Sequence, residues 1–406
     1  MSIAAEHRAE ASPPQPADAS LVPWRRALWA VFVVSLVLGL GGLAMRFVGG
    51  HLPAGYGSYV PWGLWIAIYF HGVGIAAGAF AVSSLGYLFR HEGLDTARSL
   101  RIACVLVVAT IAPALLAVGL DLGRMERAWR IVLTPSFTSM MAFNTFTYLA
   151  LLAVCALVWF LSYRPDRGWL RPLLVLGVLL IVMVPSQSGA FFGVVDAKPY
   201  WHSALLPILL FVSAMTAGAA TLLLVRAVIG DVEGADARAQ ALSVLRLLRV
   251  ILLVGLSVYF VLEFAEFSIA LWNPRASSPE LSLVLTGPYW WVFWVVHVVL
   301  GGIVPFLLLI TQRPRAWVVA GALIAVAFVS SRLNVLIPGQ AVSELEGLQE
   351  AFVHPRLDYL YQATLMEYLV AFFCVAMAMG IMYLGWRLSR AFEPRLTGKG
   401  SSDVVA

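Results

Sequence analysis

The sequence VPWGLWIAIYFHGVGIAAGA, residues 60–79, is a continuous apolar run with one histidine, His71, near its middle. A bilayer core about 30 Å thick is crossed by a helix of roughly 20 such residues. Ten runs of this kind recur along the 406-residue chain, in which 61% of the residues are hydrophobic and 12% charged. Ordinary globular proteins are about one quarter charged. The sequence therefore predicts an all-α integral membrane protein.

The apolar runs are continuous and do not alternate with polar residues, which excludes the pattern of a membrane β-barrel. Residues 1–24 are predicted to be a disordered cytoplasmic tail, residues 25–390 the transmembrane domain, and residues 391–406 a second cytoplasmic tail. The predicted spans, numbered in chain order, cover residues 26–47, 61–89, 100–121, 140–162, 170–190, 202–229, 246–271, 289–311, 315–333 and 363–387.

The arginines and lysines predict the orientation of the chain. With an even number of spans, both termini lie on one face of the membrane. That face carries 19 of these residues and the opposite face carries 8. Cytoplasmic loops hold the excess of positive charge. We therefore predict a multi-pass protein of the bacterial cytoplasmic (inner) membrane with both termini in the cytoplasm. The opposite face, predicted to be periplasmic, is called the distal side below.

Similar landmarks occur twice along the chain and indicate an internal repeat. Trp62 aligns with Trp201, and AAGA at 76–79 aligns with TAGA at 216–219. Four spans separate the copies, so equivalent spans run in the same direction and the repeats are parallel. The sequence predicts two four-helix bundles, repeat 1 over about 58–190 and repeat 2 over about 200–334, flanked by spans 1 and 10. The small residues in these motifs allow neighbouring helices to approach closely.

Ionisable and amide side chains interrupt the spans, and all of them lie in the distal half or at the distal end. They are His71, Asp121, Arg124, Asn144, Glu263, Glu266, His297, Arg332, Asn334 and Glu367. An ionisable residue in hydrocarbon indicates a functional site. Because these residues stop halfway across, they favour a pocket open to the distal side over a path through the whole bilayer. A quinone head group fits such a pocket, since histidine and carboxylate groups provide the hydrogen bonds and protons that its reduction needs.

Other interpretations use the same residues. His71 and His297 have similar depths, so they are candidate axial ligands of a b-type haem. His71 is alternatively a structural histidine bonded to a backbone carbonyl, and Asp121 with Arg124 a structural salt bridge. A secondary transporter also combines parallel repeats with buried polar groups, although matched helix breaks are few here. Cys104, Cys155 and Cys374 share no short spacing, so the chain has no motif for an iron–sulfur cluster or a c-type haem.

The motifs together resemble the NrfD/polysulphide reductase membrane-subunit family. The resemblance covers about residues 25–390 and is closest to the ten-span branch, which includes the membrane subunit of periplasmic nickel–iron hydrogenase complexes. The matching motifs, in order, are PWGLWIA with AAGA in span 2, GLDLGR at 119–124, VPSQSG at 184–189 followed by KPYWHSALLP, EFAEF at 263–267, SRLN at 331–334 and the glutamate of LMEYLV at 367.

The resemblance implies a subunit without its own redox cofactor and not catalytic alone, which exchanges electrons with bound menaquinone or ubiquinone. Its expected partners are a periplasmic ferredoxin-like iron–sulfur subunit and a catalytic subunit, such as a molybdopterin enzyme, a hydrogenase or a multihaem cytochrome. Quinone binding is expected at His71, Tyr69, Asp121, Arg124 and Asn144. Proton transfer is expected at Glu266, Glu263, Asp121 and Glu367.

Overall fold

The computed structural model describes residues 25–164, 168–229, 235–272, 278–345, 347–354 and 356–396, and these residues form helices and loops without a strand. Ten helices among these residues are long and apolar enough to cross a membrane. They are Arg25–Gly49, Leu64–Leu88, Ala97–Asp121, Met140–Leu161, Leu170–Gly193, Leu206–Ile229, Ala235–Trp272, span 8 as Val292–Ile303 and Val304–Ile310, span 9 as Pro314–Ala327 and Val329–Ala341, and Leu365–Leu396. The predicted tail at 1–24 and the end of the second tail at 397–406 lie outside the described residues.

Every predicted span corresponds to one of these helices, and the main differences are at the ends. Span 7 begins at Ala235, well before the predicted 246, and has 38 residues. At 1.5 Å per residue it is about 57 Å long. Most of the residues in the extra turns, 235–245, are alanine, arginine, glutamine and leucine, which are strong helix formers. Apolar run length therefore marks the part of the helix in the membrane and misses its polar extension.

The helices of the two halves pair in the same way. In repeat 1, span 2 packs on spans 3 and 5, and span 4 packs on the same two helices. In repeat 2, span 6 packs on spans 7 and 9, and span 8 packs on those two. Spans 2 and 6 meet at the centre, while span 5 contacts span 6 as span 9 contacts span 2. This pairing is the one that two parallel repeats related by an axis along the membrane normal require.

The repeated AAGA and TAGA motifs cross where the two repeats meet. A Cβ added to Gly78 would lie 2.2 Å from the carbonyl oxygen of Ala214 and 3.0 Å from the Cα of Gly218. Nearer the distal side, the equivalent Trp62 and Trp201 stack with ring centroids 6.1 Å apart. The small residues thus allow the predicted close approach of the helix backbones.

Repeat 2 contains two helix irregularities that repeat 1 lacks. Val292–Ile303 of span 8 is a π-helix, and span 9 is interrupted at Phe328. The equivalent spans 4 and 5 are continuous α-helices, even with Pro185 inside span 5. Helix breaks are therefore not matched between the repeats. Segments of π-helix are rare and frequently mark functional sites.

Spans 1 and 10 pack on each other at the outside of the bundle, and span 10 also contacts span 3. Arg46 of span 1 is buried and donates from Nε to the carbonyl oxygen of Leu120, at 2.9 Å. Leu120 lies in the last turn of span 3, where carbonyl groups have no helical partner. A cation at this position also interacts favourably with the helix dipole.

Candidate functional site

The interior of repeat 1 is lined by neutral polar groups. The hydroxyl of Tyr69 donates to that of Tyr148 at 3.2 Å, and Thr147 donates to Gln187 Oε1 at 3.1 Å. Asn144 is buried, and its Oδ1 makes no hydrogen bond to the described residues. This network can offer hydrogen bonds to a ligand but has no group that changes charge near neutral pH.

The interior of repeat 2 holds an ionisable chain. Nε2 of His297 lies 3.0 and 3.1 Å from the two carboxylate oxygens of Glu263, and its Nδ1 lies 3.0 Å from the Ser330 hydroxyl. The hydroxyl of Tyr259 donates to Glu263 at 2.9 Å. His297 is completely buried. Each of these two buried side chains stabilises the other, because a buried charge without a partner is strongly unfavourable.

His71 lies between the two repeats. Its Nε2 is 2.8 Å from the carbonyl oxygen of Ala325 in span 9, while its buried Nδ1 makes no hydrogen bond to the described residues. A Cβ on Gly74 would lie 3.1 Å from the guanidinium of Arg332, so the glycine leaves room for this arginine beside span 2. The bond to a backbone carbonyl considered above is thus present, and one ring nitrogen remains available. A role for His71 in quinone binding stays a prediction.

The alternative interpretation of Asp121 and Arg124 as a structural salt bridge is wrong. Arg124 lies beyond the end of span 3, is exposed, and approaches Glu126 at 3.7 Å. Asp121 Oδ1 is buried and makes no hydrogen bond among the described residues. The helix ends at Asp121, so the three-residue spacing no longer places the two side chains on one helix face.

Arg46 instead supplies the positive charge near the distal end of span 3. It contacts His51 Nε2 at 2.7 Å, and His51 Nδ1 contacts the Tyr56 hydroxyl at 2.7 Å. Burial and the Arg46 guanidinium lower the pKa of His51. Because arginine can only donate, Nε2 accepts and Nδ1 carries the proton. His51 is therefore neutral and extends the arginine contact toward the loop before span 2.

Glu367 anchors the start of span 10 to the loops beside it. Its carboxylate accepts from the Tyr361 hydroxyl at 2.6 Å, from the Gly55 amide at 2.8 Å and from the Thr364 amide at 3.0 Å. Burial and the Glu367 carboxylate raise the pKa of Tyr361, so its hydroxyl stays protonated as a donor. Through these contacts the Glu367 carboxylate holds the neighbouring loops in place, which is a structural role. Proton transfer by Glu367 stays a prediction.

Glu266, one turn beyond Glu263, accepts a hydrogen bond from Ser203 at 2.8 Å. Burial, and then the carboxylates of Glu263, Glu266 and Glu280, raise the pKa of Tyr200. The Tyr200 hydroxyl donates to the Asn334 carbonyl oxygen at 2.7 Å. Glu266 therefore lies on the distal side of the chain formed by Glu263 and His297. Proton transfer by Glu266 stays a prediction.

A cavity of about 400 Å³ opens on the distal side of repeat 2. The start of span 8, the second helix of span 9 and the loop before span 10 form its walls. Most of the lining is apolar, and the polar lining residues are Ser330, Asn334, Tyr289, Tyr361, Gln362 and Tyr368. Burial raises the pKa of Tyr289 to about 12, so this hydroxyl also stays protonated. The cavity borders the ionisable chain through Ser330.

The structure disperses the residues predicted to bind quinone. Tyr69 and Asn144 lie in repeat 1, His71 lies between the repeats, and Asp121 and Arg124 lie at and beyond the distal end of span 3. The cavity and the contributions of Ser330, Tyr289, Tyr361 and Arg46 do not follow from the sequence. One available signal was the serine directly before SRLN. The tyrosines lie in loops, where no helical period indicates their direction.

The contacts of His297 also bear on the haem alternative. Both of its ring nitrogens contact side chains, so haem ligation requires one of these contacts to break. Among the described residues, no group of three or more histidine, cysteine, aspartate or glutamate side chains is arranged to hold a metal ion.

The fold and the buried groups define a polytopic membrane protein with two parallel four-helix repeats and polar centres on one side of the bilayer. A family model described as "Polysulphide reductase, NrfD" matches residues 54–344, and the chain belongs to this family. It is a multi-pass membrane protein, and the resemblance drawn from its motifs is confirmed. The matched region includes both repeats and excludes spans 1 and 10.

Three curated proteins illustrate the relationship. A selenate reductase subunit of Mesobacillus selenatarsenatis is 27% identical over 386 residues, covering 85% of this chain and 89% of that protein. The Hdr-like menaquinol oxidoreductase integral membrane subunit of Archaeoglobus fulgidus is 26% identical over 372 residues, covering 88% of both. Protein NrfD of Escherichia coli is 25% identical over 272 residues, covering 61% of this chain and 83% of that protein.

Proposed function

We propose that the chain is the quinone-interacting membrane subunit of a respiratory oxidoreductase complex. It exchanges electrons between the quinone/quinol pool and a periplasmic iron–sulfur subunit, which connects to a separate catalytic subunit. The chain itself contributes the quinone site and the proton-binding groups, while its partners hold the redox centres. Two of its relatives are named as subunits of a selenate reductase and of a menaquinol oxidoreductase, which supports this class of function.

The observation that carries the proposal is the one-sided placement of buried acids and bases. Among the described span residues, the buried histidines and carboxylates are His71, Glu263, His297 and Glu367, and each lies in the distal half of its helix. Quinone reduction consumes protons and quinol oxidation releases them. Buried proton acceptors reached from one face suit this chemistry better than transport through the whole bilayer.

Within this proposal, His71, Tyr69, Asp121, Arg124 and Asn144 remain the candidate quinone-binding residues. His71 is the strongest of them, because it has a buried ring nitrogen without a hydrogen bond and lies beside Arg332. Because Nε2 donates its proton to the Ala325 carbonyl oxygen, Nδ1 of the neutral ring is an acceptor, and it can take a hydrogen bond from a quinol hydroxyl at this position. Glu266, Glu263, Asp121 and Glu367 remain the candidates for proton transfer.

The test is electron transfer in the intact complex reconstituted into liposomes, with a short-tailed quinol or quinone and the redox partner of the catalytic subunit. We expect quinone-dependent turnover, and at least tenfold slower turnover in His71→Ala with unchanged assembly. His202→Ala is the matched control, because His202 is largely exposed in a distal loop. Turnover independent of quinone contradicts the function. Full turnover in His71→Ala removes only that residue from the site.

A further inference from the structure

We propose that the cavity of repeat 2 is a second ligand site, which binds a quinol-class ring and passes a proton from its hydroxyl to Ser330 and His297. This inference rests on the proposed function for the identity of the ligand. It differs from the candidate quinone-binding residues around His71 in position, in lining residues and in the presence of an ionisable chain.

The size and opening of the cavity fit a lipid-soluble ring. Its volume of about 400 Å³ falls in the range of roughly 300–1,000 Å³ that is usual for small-molecule sites. Trp291, directly before span 8, and Tyr368 of span 10 both line the cavity. Their side chains are nevertheless 46% and 43% exposed, respectively. Both residues belong to the outer surfaces of membrane helices, so a ligand can enter from the bilayer and leave its isoprenoid tail there.

The polar atoms of the cavity lie where a ring with two oxygens needs them. Ser330 and Asn334 are four residues apart on the second helix of span 9 and therefore share one face. Asn334 is 4% exposed, and its Nδ2 makes no hydrogen bond to the described residues. A buried donor without an acceptor is unfavourable, and a ligand oxygen would satisfy it.

Ser330 connects the cavity to the ionisable chain, and its hydroxyl has two possible acceptors. It lies within hydrogen-bonding distance of the Ala327 carbonyl oxygen and of His297 Nδ1. With one proton, it can donate to only one of them at a time. If it donates to Nδ1, the other ring nitrogen carries its proton toward an ionised Glu263. If it donates to Ala327, Nδ1 must carry a proton, and another must lie between Nε2 and Glu263.

These two arrangements differ by one proton, so the chain can take up a proton from the cavity. The O–H bond of the bound quinol breaks as its proton joins Ser330, and the original serine proton forms the Nδ1–H bond of His297. The electron pair of the broken bond stays on the ligand oxygen, which becomes a quinolate. The serine hydroxyl then turns to Ala327. The π-helix that carries His297 and the interruption at Phe328 position these groups.

The experiment uses the full complex in lipid nanodiscs, a tail-less naphthoquinol and an azido-naphthoquinone photolabel. The variants are Ser330→Ala, the conservative Ser330→Thr, and Leu333→Phe, which fills the cavity. Ser84→Ala is the matched control, because Ser84 is an equally buried serine in the cytoplasmic half of span 2 and does not line the cavity. If Leu333→Phe does not fold, Ala363→Leu fills the cavity from the loop side.

We expect the photolabel on peptides of spans 8 and 9, and its loss in Leu333→Phe. Ser330→Ala should weaken quinol binding about fivefold, the equivalent of one neutral hydrogen bond, and slow turnover about a hundredfold. Ser330→Thr should restore both, and Ser84→Ala should change neither. Labelling confined to spans 2–5, or equal effects of the two alanine variants, overturns the proposal. Labelling of spans 8 and 9 without quinol-linked turnover in the unaltered complex overturns the proposed function instead.

Discussion

Repeat 1 and repeat 2 differ in what fills the space between their helices, although the helices pack in the same order. Repeat 1 places tyrosine, threonine and glutamine side chains in contact, whereas repeat 2 places glutamate, histidine and serine in contact. The helices of repeat 1 are regular where those of repeat 2 contain a π-helix and an interruption.

The difference teaches that the helix packing and the interior chemistry of a duplicated bundle can change separately. Helix contacts between the repeats depend on small residues such as Gly78 and Gly218, which both copies retain. The interior groups are free to differ, because polar groups in lipid need only partners, and either neutral or charged partners serve. Backbone irregularities occur in the copy where ionisable side chains had to be brought into contact.

The largest expected effect is on the stability of the charged interior. Glu263→Ala leaves His297 buried without its partner, and we expect the free energy of unfolding to fall by about 3–5 kcal/mol. Thr147→Val in repeat 1 removes one neutral hydrogen bond, and we expect a fall of about 1 kcal/mol. Unfolding by SDS titration in mixed micelles measures both. Equal losses would mean that the two interiors do not differ energetically.

An intermediate effect is expected where the two repeats cross. In Gly78→Ala the new methyl group meets the Ala214 carbonyl oxygen in the backbone of span 6, which cannot move aside as a side chain can. We expect destabilisation by about 1–3 kcal/mol. Gly119→Ala is the matched control, because no atom lies within 4 Å of a Cβ added there. Thermal unfolding in detergent compares them, and a smaller loss in Gly78→Ala than in the control would contradict the close crossing.

The smallest effect is expected outside both interiors. Arg124→Ala removes an exposed side chain whose ion pair with Glu126 spans 3.7 Å. Such pairs contribute about 0–1 kcal/mol, so we expect almost unchanged unfolding by the same SDS titration. Turnover separates its two possible roles. A quinone-binding Arg124 lowers turnover when removed, whereas a purely surface-exposed Arg124 does not.

The ten spans and the doubled bundle follow from the sequence, because apolar run length determines membrane helices and the paired landmarks survive in both copies. The crossing of AAGA and TAGA follows as well, since small residues indicate where backbones approach. Half of the residues predicted for the site are buried, namely His71, Asn144, Glu263 and Glu367. Apolar run length and the repeated landmarks therefore predict the architecture, and the positions of the polar residues along the spans predict the helix ends at which they gather.

The contacts inside the repeats did not follow from the sequence. Span 2 is apolar on all sides, so no periodic stripe shows that Tyr69 faces span 4 while His71 faces span 9. Gly287 and Pro288 before span 8 indicate only where a helix begins, whereas the π-helix around His297 changes which residues share a face. The Asp121–Arg124 pair failed because the helix ends at Asp121, three residues before Arg124, so the spacing rule for one helix face does not apply.

The pairing of span 1 with span 10 has a consequence for the synthesis of the protein. Span 1 leaves the ribosome first, and the helix that it packs against begins only at Leu365. At about 5–20 residues per second, the interval is on the order of 20 to 70 seconds. Only 17% of the apolar window of span 1 is buried in the finished bundle, so it can wait in lipid as a single helix. The outer pair of helices therefore closes last, after both repeats have been made.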